Sequence, residues 1–232
     1  MASLKQEIAA LANARCAAAM QRYFKTGKGE YGEGDKFLGL TIGQQREIAK
    51  SHKGIALQQL APLMKSGIHE ERLVALLILV EKFAKAGEEE KRKIFDFYFE
   101  NMAGVNNWDL VDLTAPKIVG AFLLDKDRKM LYRLAKSQII WEKRIAIMAT
   151  HAFIRERQFE DALKISKILL QDRHDLIHKA VGWTIREIGN RDLETEEKFL
   201  KKHYKKMPRT MLRYAIEKFP EEKRLAYLKG TI

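Results

Sequence analysis

A single cysteine, Cys16, rules out an internal disulfide in this 232-residue chain. Proline is scarce as well, with four in the whole sequence, and no segment sustains the apolar/polar alternation of a half-buried strand. The longest purely apolar stretch, "LVALLILV" from Leu73 to Val80, falls far short of the roughly 20 residues needed to cross a bilayer. It reads as a buried helix. A cleavable signal is not expected either, because Lys5, Glu7 and Arg15 interrupt the alanine-rich start, which reads as an amphipathic helix. What is present in excess is positive charge: 43 Lys+Arg against 31 Asp+Glu gives a formal charge of +12 and a pI near 9.6. A surface of that sign attracts polyanions such as nucleic acid or an acidic membrane face.

Apolar residues recur at i, i+3 and i+4 in "EERLVALLILVEKFAKAG", "KRKIFDFYFENM" and "DALKISKILL", the pattern of amphipathic helices. Thr41 with Gln44 has the form of a capping box, Asn106 or Asn107 is placed to cap the helix that begins near Trp108, and Gly87 and Gly189 stand where C-caps belong. The chain is expected to be all-α. Aligning "IHEERLVALLIL", "GVNNWDLVDLTA", "IIWEKRIAIMAT" and "DLIHKAVGWTIR" puts Arg72, Trp108, Arg144 and Lys179 at equivalent places, 36, 36 and 35 residues apart. A period in this range, with two helices per unit, is the mark of an α-solenoid of HEAT or armadillo type. Residues 1–232 then form one domain, and equivalent positions line a shared concave, basic surface.

One helical turn beyond three of these positions lie Asp112, Met148 and Trp183, on the same helix faces. Taken one by one, the tryptophans read as core, Arg144 as the partner of a nearby glutamate and Lys179 as a solvated charge. At repeat spacing they read together, because a carboxylate among indoles and cations is costly to hold without a use.

These motifs resemble a known family, the HEAT-like bacterial DNA alkylation repair glycosylases often called AlkD. The resemblance rests on "NNWDLVD", "IIWEKRIAI" and "HKAVGWTIREIG", with support from "RYFK" at Arg22–Lys25 and "YGEGDKFLG" at Tyr31–Gly39, and it covers nearly the whole chain. It implies excision of N3- and N7-alkylpurines from duplex DNA by hydrolysis of the N-glycosidic bond, leaving an abasic site. By the same resemblance Trp108, Asp112 and Trp183 contact the sugar of the damaged nucleotide, Arg144 lies near the DNA backbone, and Tyr23 matches an N-terminal aromatic. A monofunctional hydrolase without cofactor or metal is expected, cytoplasmic, monomeric and free of any obligate protein or membrane partner.

The residue chemistry agrees with that implication. A purine alkylated at N3 or N7 is cationic and leaves readily. The catalyst's remaining task is to stabilise positive charge developing on the deoxyribose and to position water, and one carboxylate serves both ends. Asp112 is the strong candidate for it, and the indole faces of Trp108 and Trp183 favour a cationic sugar by roughly 0.5–2 kcal/mol per contact. Lys143, Arg144, Lys179 and Arg186, with Lys117 just past the opening motif, are the candidate phosphate contacts. The basic run "KKHYKKMPR", Lys201–Arg209, is a candidate of lower rank, since charge runs are more often solvated helix ends.

Other signals count for less. "GKGEYGEGD", Gly27–Asp35, lacks GxxxxGK[ST] and follows no strand, so it reads as a turn rather than a phosphate cradle. His174 and His178 share a helix face without a third ligand, and His69-Glu70 does not continue as HExxH. The competing reading from another class is a non-catalytic HEAT scaffold for nucleic acid or protein, since fold alone does not decide function.

Overall fold

The computed structural model describes residues 3–232. The chain is all-helical: the described residues form no strand, only one isolated bridge between Lys36 and Ile68. Two compact units are present, the first ending at Ile118 and the second running Val119–Ile232.

The first unit holds α1 (Leu4–Ala10), α2 (Ala14–Tyr23), α3 (Ile42–Ser51), α4 (Leu57–Met64), α5 (His69–Phe83), α6 (Glu88–Glu100) and α7 (Trp108–Thr114). Its centre is α5. The run that looked too short for a membrane is buried there, and α3, α4, α6 and α7 all pack against it. The N-terminal helix expected as one piece is broken: Asn13 turns the chain, accepting from the Cys16 amide to cap α2 as a separate helix. Ser3 and Thr41 close capping boxes with Gln6 and Gln44. Gly39, at φ +90°, lies so near the backbone of Asn13 and Ala17 that any side chain would strike it.

The second unit holds α8 (Lys129–Ala135), α9 (Ile140–Arg155), α10 (Glu160–Ile168), α11 (Asp175–Gly189), α12 (Leu193–His203), α13 (Arg209–Ala215) and α14 (Glu221–Lys229). Here α11 packs between α9 and α13, while α8 and α10 lie against α9, and α10 and α12 against α11. The aligned repeat motifs thus map onto α5, α7, α9 and α11, neighbours by pairs within each unit. Apolar faces at repeat spacing are buried by that stacking.

Two expected C-caps differ. Gly87 is the N-cap of α6, while α5 ends at Phe83 and is capped by Ala84. Gly189 is the last residue of α11, capped by Asn190, and its missing side chain makes room for the Glu196 carboxyl of α12. Glu196 is 2 % exposed and its Oε1 has no hydrogen-bond partner. Burial and the neighbouring Glu197 push its pKa up to about 8, against the pull of Arg186 and Lys223.

Folding therefore takes up a proton between pH 4.5, where the unfolded carboxyl titrates, and about 8. Stability is full below that window and falls as pH rises through it, by at most about 1.4 kcal/mol per pH unit from this group. Denaturant unfolding across pH 5–8 is expected to show the decline, and Glu196→Gln to flatten it.

Candidate functional site

Trp108 opens α7, and the residue before it explains where the helix begins. Asn107 is fully buried and extended (φ −147°, ψ 160°), and its Oδ1 accepts the Trp108 amide at 2.8 Å. The Trp108 indole stacks on Phe24, with centroids 5.1 Å apart and planes within 11°. Tyr23, 67 % exposed, meets the same indole edge-on at 5.9 Å. Of the residues expected at the site, the structure thus brings Tyr23 and Trp108 together across 85 residues of sequence. Asp112, one turn along α7, is half-buried on the Trp108 face of the helix.

Behind Trp108 the stacking continues. Phe24 lies on Phe37 at 4.9 Å, and Phe37 lies on the imidazole of His69 at 4.5 Å. His69 then closes the circuit, because its Nε2 reaches Asp109 Oδ2 at 2.8 Å, and Asp109 follows Trp108 in α7. On its other side Nδ1 reaches Asp35 Oδ2 at 3.1 Å. Asp35 also takes Arg72 Nη2 at 2.6 Å and Asn107 Nδ2 at 3.2 Å. Burial disfavours charge on His69, but the hydrogen bonds to Asp109 and Asp35 outweigh it and raise its pKa above the ordinary value. Asp35 responds in the opposite sense: burial pushes its pKa up, yet His69, Arg72 and Asn107 hold it below the usual carboxylate range.

The adjoining segment is bonded as tightly. The Glu70 carboxylate accepts the amides of Leu38, Gly39 and Leu40, and Arg72 donates to the carbonyls of Ser66 and Gly104. The glycine-rich Gly27–Asp35 stretch is a run of turns, stabilised by Glu30 on the Gly27 amide and Glu33 on the Gly29 amide. It ends by delivering Asp35 into the buried cluster. Lys117 is exposed in a π-helical turn, Pro116–Gly120, that follows α7.

The remaining expected residues belong to the second unit. Arg144 is 4 % exposed and its Nη1 donates to the Leu176 carbonyl at 2.5 Å, so this guanidinium is seated at the start of α11. Lys143 Nζ pairs with Asp172 at 2.6 Å, Lys179 with Asp175 at 2.8 Å, and Arg186 with Glu217. Trp183 is half-buried, with Nε1 donating to Glu187 at 3.2 Å and its ring edge-on to His151 at 5.0 Å. Burial holds the His151 pKa down to about 4, and its Nε2 lies 3.0 Å from Thr184 Oγ1. Glu187 keeps a lowered pKa against burial through its bonds to Arg191 and Trp183. His174, considered above as a ligand, accepts the Leu176 amide through Nδ1 and caps α11, while His178 bonds the Asp172 carbonyl.

Sequence reasoning missed Asp35, His69 and Asp109, and the rings of Phe24 and Phe37 that stack between Trp108 and His69. A signal for them exists: "HEER" places four consecutive polar residues directly ahead of the apolar run Leu73–Val80, and all four are buried. Consecutive buried charges demand partners from elsewhere in the chain.

The structure is an all-helical repeat protein with an aromatic cluster at the head of α7. Residues 4–219 match the family model described as DNA alkylation repair enzyme, and the chain belongs to that family. Among solved structures it is similar to a chain described as a predicted DNA alkylation repair enzyme from Enterococcus faecalis, with TM-score 0.68 and 16% identity over 90% of this chain and 97% of that one. AlkD2 from Streptococcus mutans is similar too, with TM-score 0.56 and 16% identity over 94% of this chain and 100% of that one. At these identities the likeness is one of fold. No curated protein matches the sequence.

Asn107 both caps α7 and supports Asp35. Replacing it by Ala is expected to cost about 1–3 kcal/mol in equilibrium unfolding, more than an exposed cap alone. Asn107→Asp keeps the cap but sets a second carboxylate against Asp35, so its stability is expected to improve as pH falls toward 4.

Proposed function

We propose that the chain is a DNA glycosylase that hydrolyses the N-glycosidic bond of cationic N3- and N7-alkylpurines in duplex DNA, acting as one functional domain without a cofactor. The observation that supports this reading is the head of α7: an indole supported from behind by Phe24, an exposed Tyr23 at its edge, and a carboxylate one turn on at Asp112. A flat aromatic surface beside a carboxylate suits a sugar that becomes cationic as its bond to the base breaks.

In this mechanism the C1′–N bond breaks and its electron pair neutralises the alkylated purine, so no acid is needed. Asp112 stabilises the oxocarbenium-like sugar and aligns the water that adds to C1′. The water's proton passes to the carboxylate and then to solvent. Trp108 and Trp183 are assigned to the sugar, and Tyr23 to DNA binding. Lys117 is assigned to a phosphate, with its ammonium already in solvent. Lys143, Lys179 and Arg186 exchange their carboxylate partners for phosphates on binding, and Arg144 acts at the backbone from its buried seat on α11.

The competing reading is a non-catalytic HEAT-repeat scaffold for nucleic acid or protein, and Asp112 separates the two. Asp112→Asn is expected to abolish release of 7-methylguanine from methylated duplex DNA while duplex affinity changes less than threefold; release at the wild-type rate would refute the assignment. Lys117→Ala is expected to lower duplex affinity whatever the sequence and to flatten the plot of log K against log salt by about 0.9. An unchanged slope removes Lys117 from the phosphate contacts.

A further inference from the structure

We propose that His69 is a positioning residue: a doubly bonded imidazolium that ties the Tyr23–Phe24 segment to α7, so that the aromatic platform at Trp108 is complete only while the ring carries both protons. Both ring nitrogens face carboxylate oxygens, Nε2 at 2.8 Å from Asp109 and Nδ1 at 3.1 Å from Asp35. An ionised carboxylate only accepts hydrogen bonds, so satisfying both contacts takes two N–H donors, and only the imidazolium has two.

Charge balance points the same way. The groups facing the ring are Asp109 on α7, Asp35 on the loop between α2 and α3, and Glu70 and Arg72 on its own helix. Phe24 and Phe37 bring no charge. Glu70 is engaged by the amides of Leu38, Gly39 and Leu40, which leaves two carboxylates against the cations of His69 and Arg72. Loss of the His69 proton leaves a buried net negative charge and turns a nitrogen lone pair toward a carboxylate. One of the two contacts then has to open.

Opening either contact disturbs the same object. Asp109 adjoins Trp108, and Asp35 ends the loop that runs on from Tyr23 and Phe24. The stack Trp108–Phe24–Phe37–His69 therefore has one ionic fastening, at its His69 end. The fastening's contribution to stability is present below the ordinary histidine range and lost as pH rises through the raised folded value.

This inference deepens the proposed function by naming what holds its aromatic platform, and its test reads ring position rather than base release. The protein is labelled with 5-fluorotryptophan, the Trp108 resonance is assigned with Trp108→Phe, and 15N-histidine spectra follow His69 over pH 6–10. His69 is expected to hold both protons at pH 7. As it titrates, the Trp108 resonance should move with the same midpoint, while those of Trp141 and Trp183 stay still and far-UV circular dichroism is unchanged. Asp109→Asn is expected to shift both midpoints to lower pH together, and His69→Gln to abolish the Trp108 transition. A Trp108 resonance that stays fixed while His69 deprotonates would overturn the proposal, as would a neutral His69 at pH 7 or a transition that persists in His69→Gln. In base-release assays the rate should fall with the same midpoint. If the chain releases no base at any pH, the fluorine and nitrogen spectra still decide the role of His69.

Discussion

A buried imidazole with a carboxylate at each nitrogen is the constraint around which the first unit is arranged. Such a group is tolerated inside a protein only when its charge is matched and its protons are used. His69 meets both conditions by drawing on three separate parts of the chain: the loop carrying Asp35, its own helix with Arg72, and the head of α7 with Asp109. Each of those parts brings something to the Trp108 surface. The loop follows Tyr23 and Phe24, α5 supplies the buried wall, and α7 presents Trp108 and Asp112.

The second unit solves a similar problem with less charge. Trp183 also has a histidine behind it, but His151 is kept neutral by burial and lies against a threonine hydroxyl. The indole nitrogen is held by Glu187, itself bonded to Arg191. Two half-buried tryptophans on repeat-equivalent helices are thus oriented by different polar devices. A repeat preserves the packing of helices on their neighbours, while each helix remains free to recruit local partners for its polar residues.

Much of the fold was legible before any coordinates. Helical periodicity, the capping box at Thr41, the cap at Asn107 and the burial of the Leu73–Val80 run all follow from short-range pattern, and all are present. Trp108 and Asp112 share a helix face for the same reason, since i and i+4 are neighbours on any helix. Other features were not legible. The break at Asn13 and the reassignment of Gly87 to an N-cap depend on where the chain turns to meet its neighbours. Lys143 and Arg186, candidate phosphate contacts, are paired with Asp172 and Glu217, and Arg144 is buried on the Leu176 carbonyl of α11. An ion pair formed across about 30 residues leaves no trace in local periodicity.

By itself the sequence determined the helical class, the repeat spacing, the basic character and the placing of an indole and a carboxylate one turn apart. Those follow from composition and from the geometry of a single helix. Only the tertiary structure decided that Tyr23 stands against Trp108 and that Asp35, His69 and Asp109 form one buried cluster. A buried charge is stable only beside its counter-charge, and which counter-charge arrives is settled by how distant segments pack, not by what lies next to it in the chain.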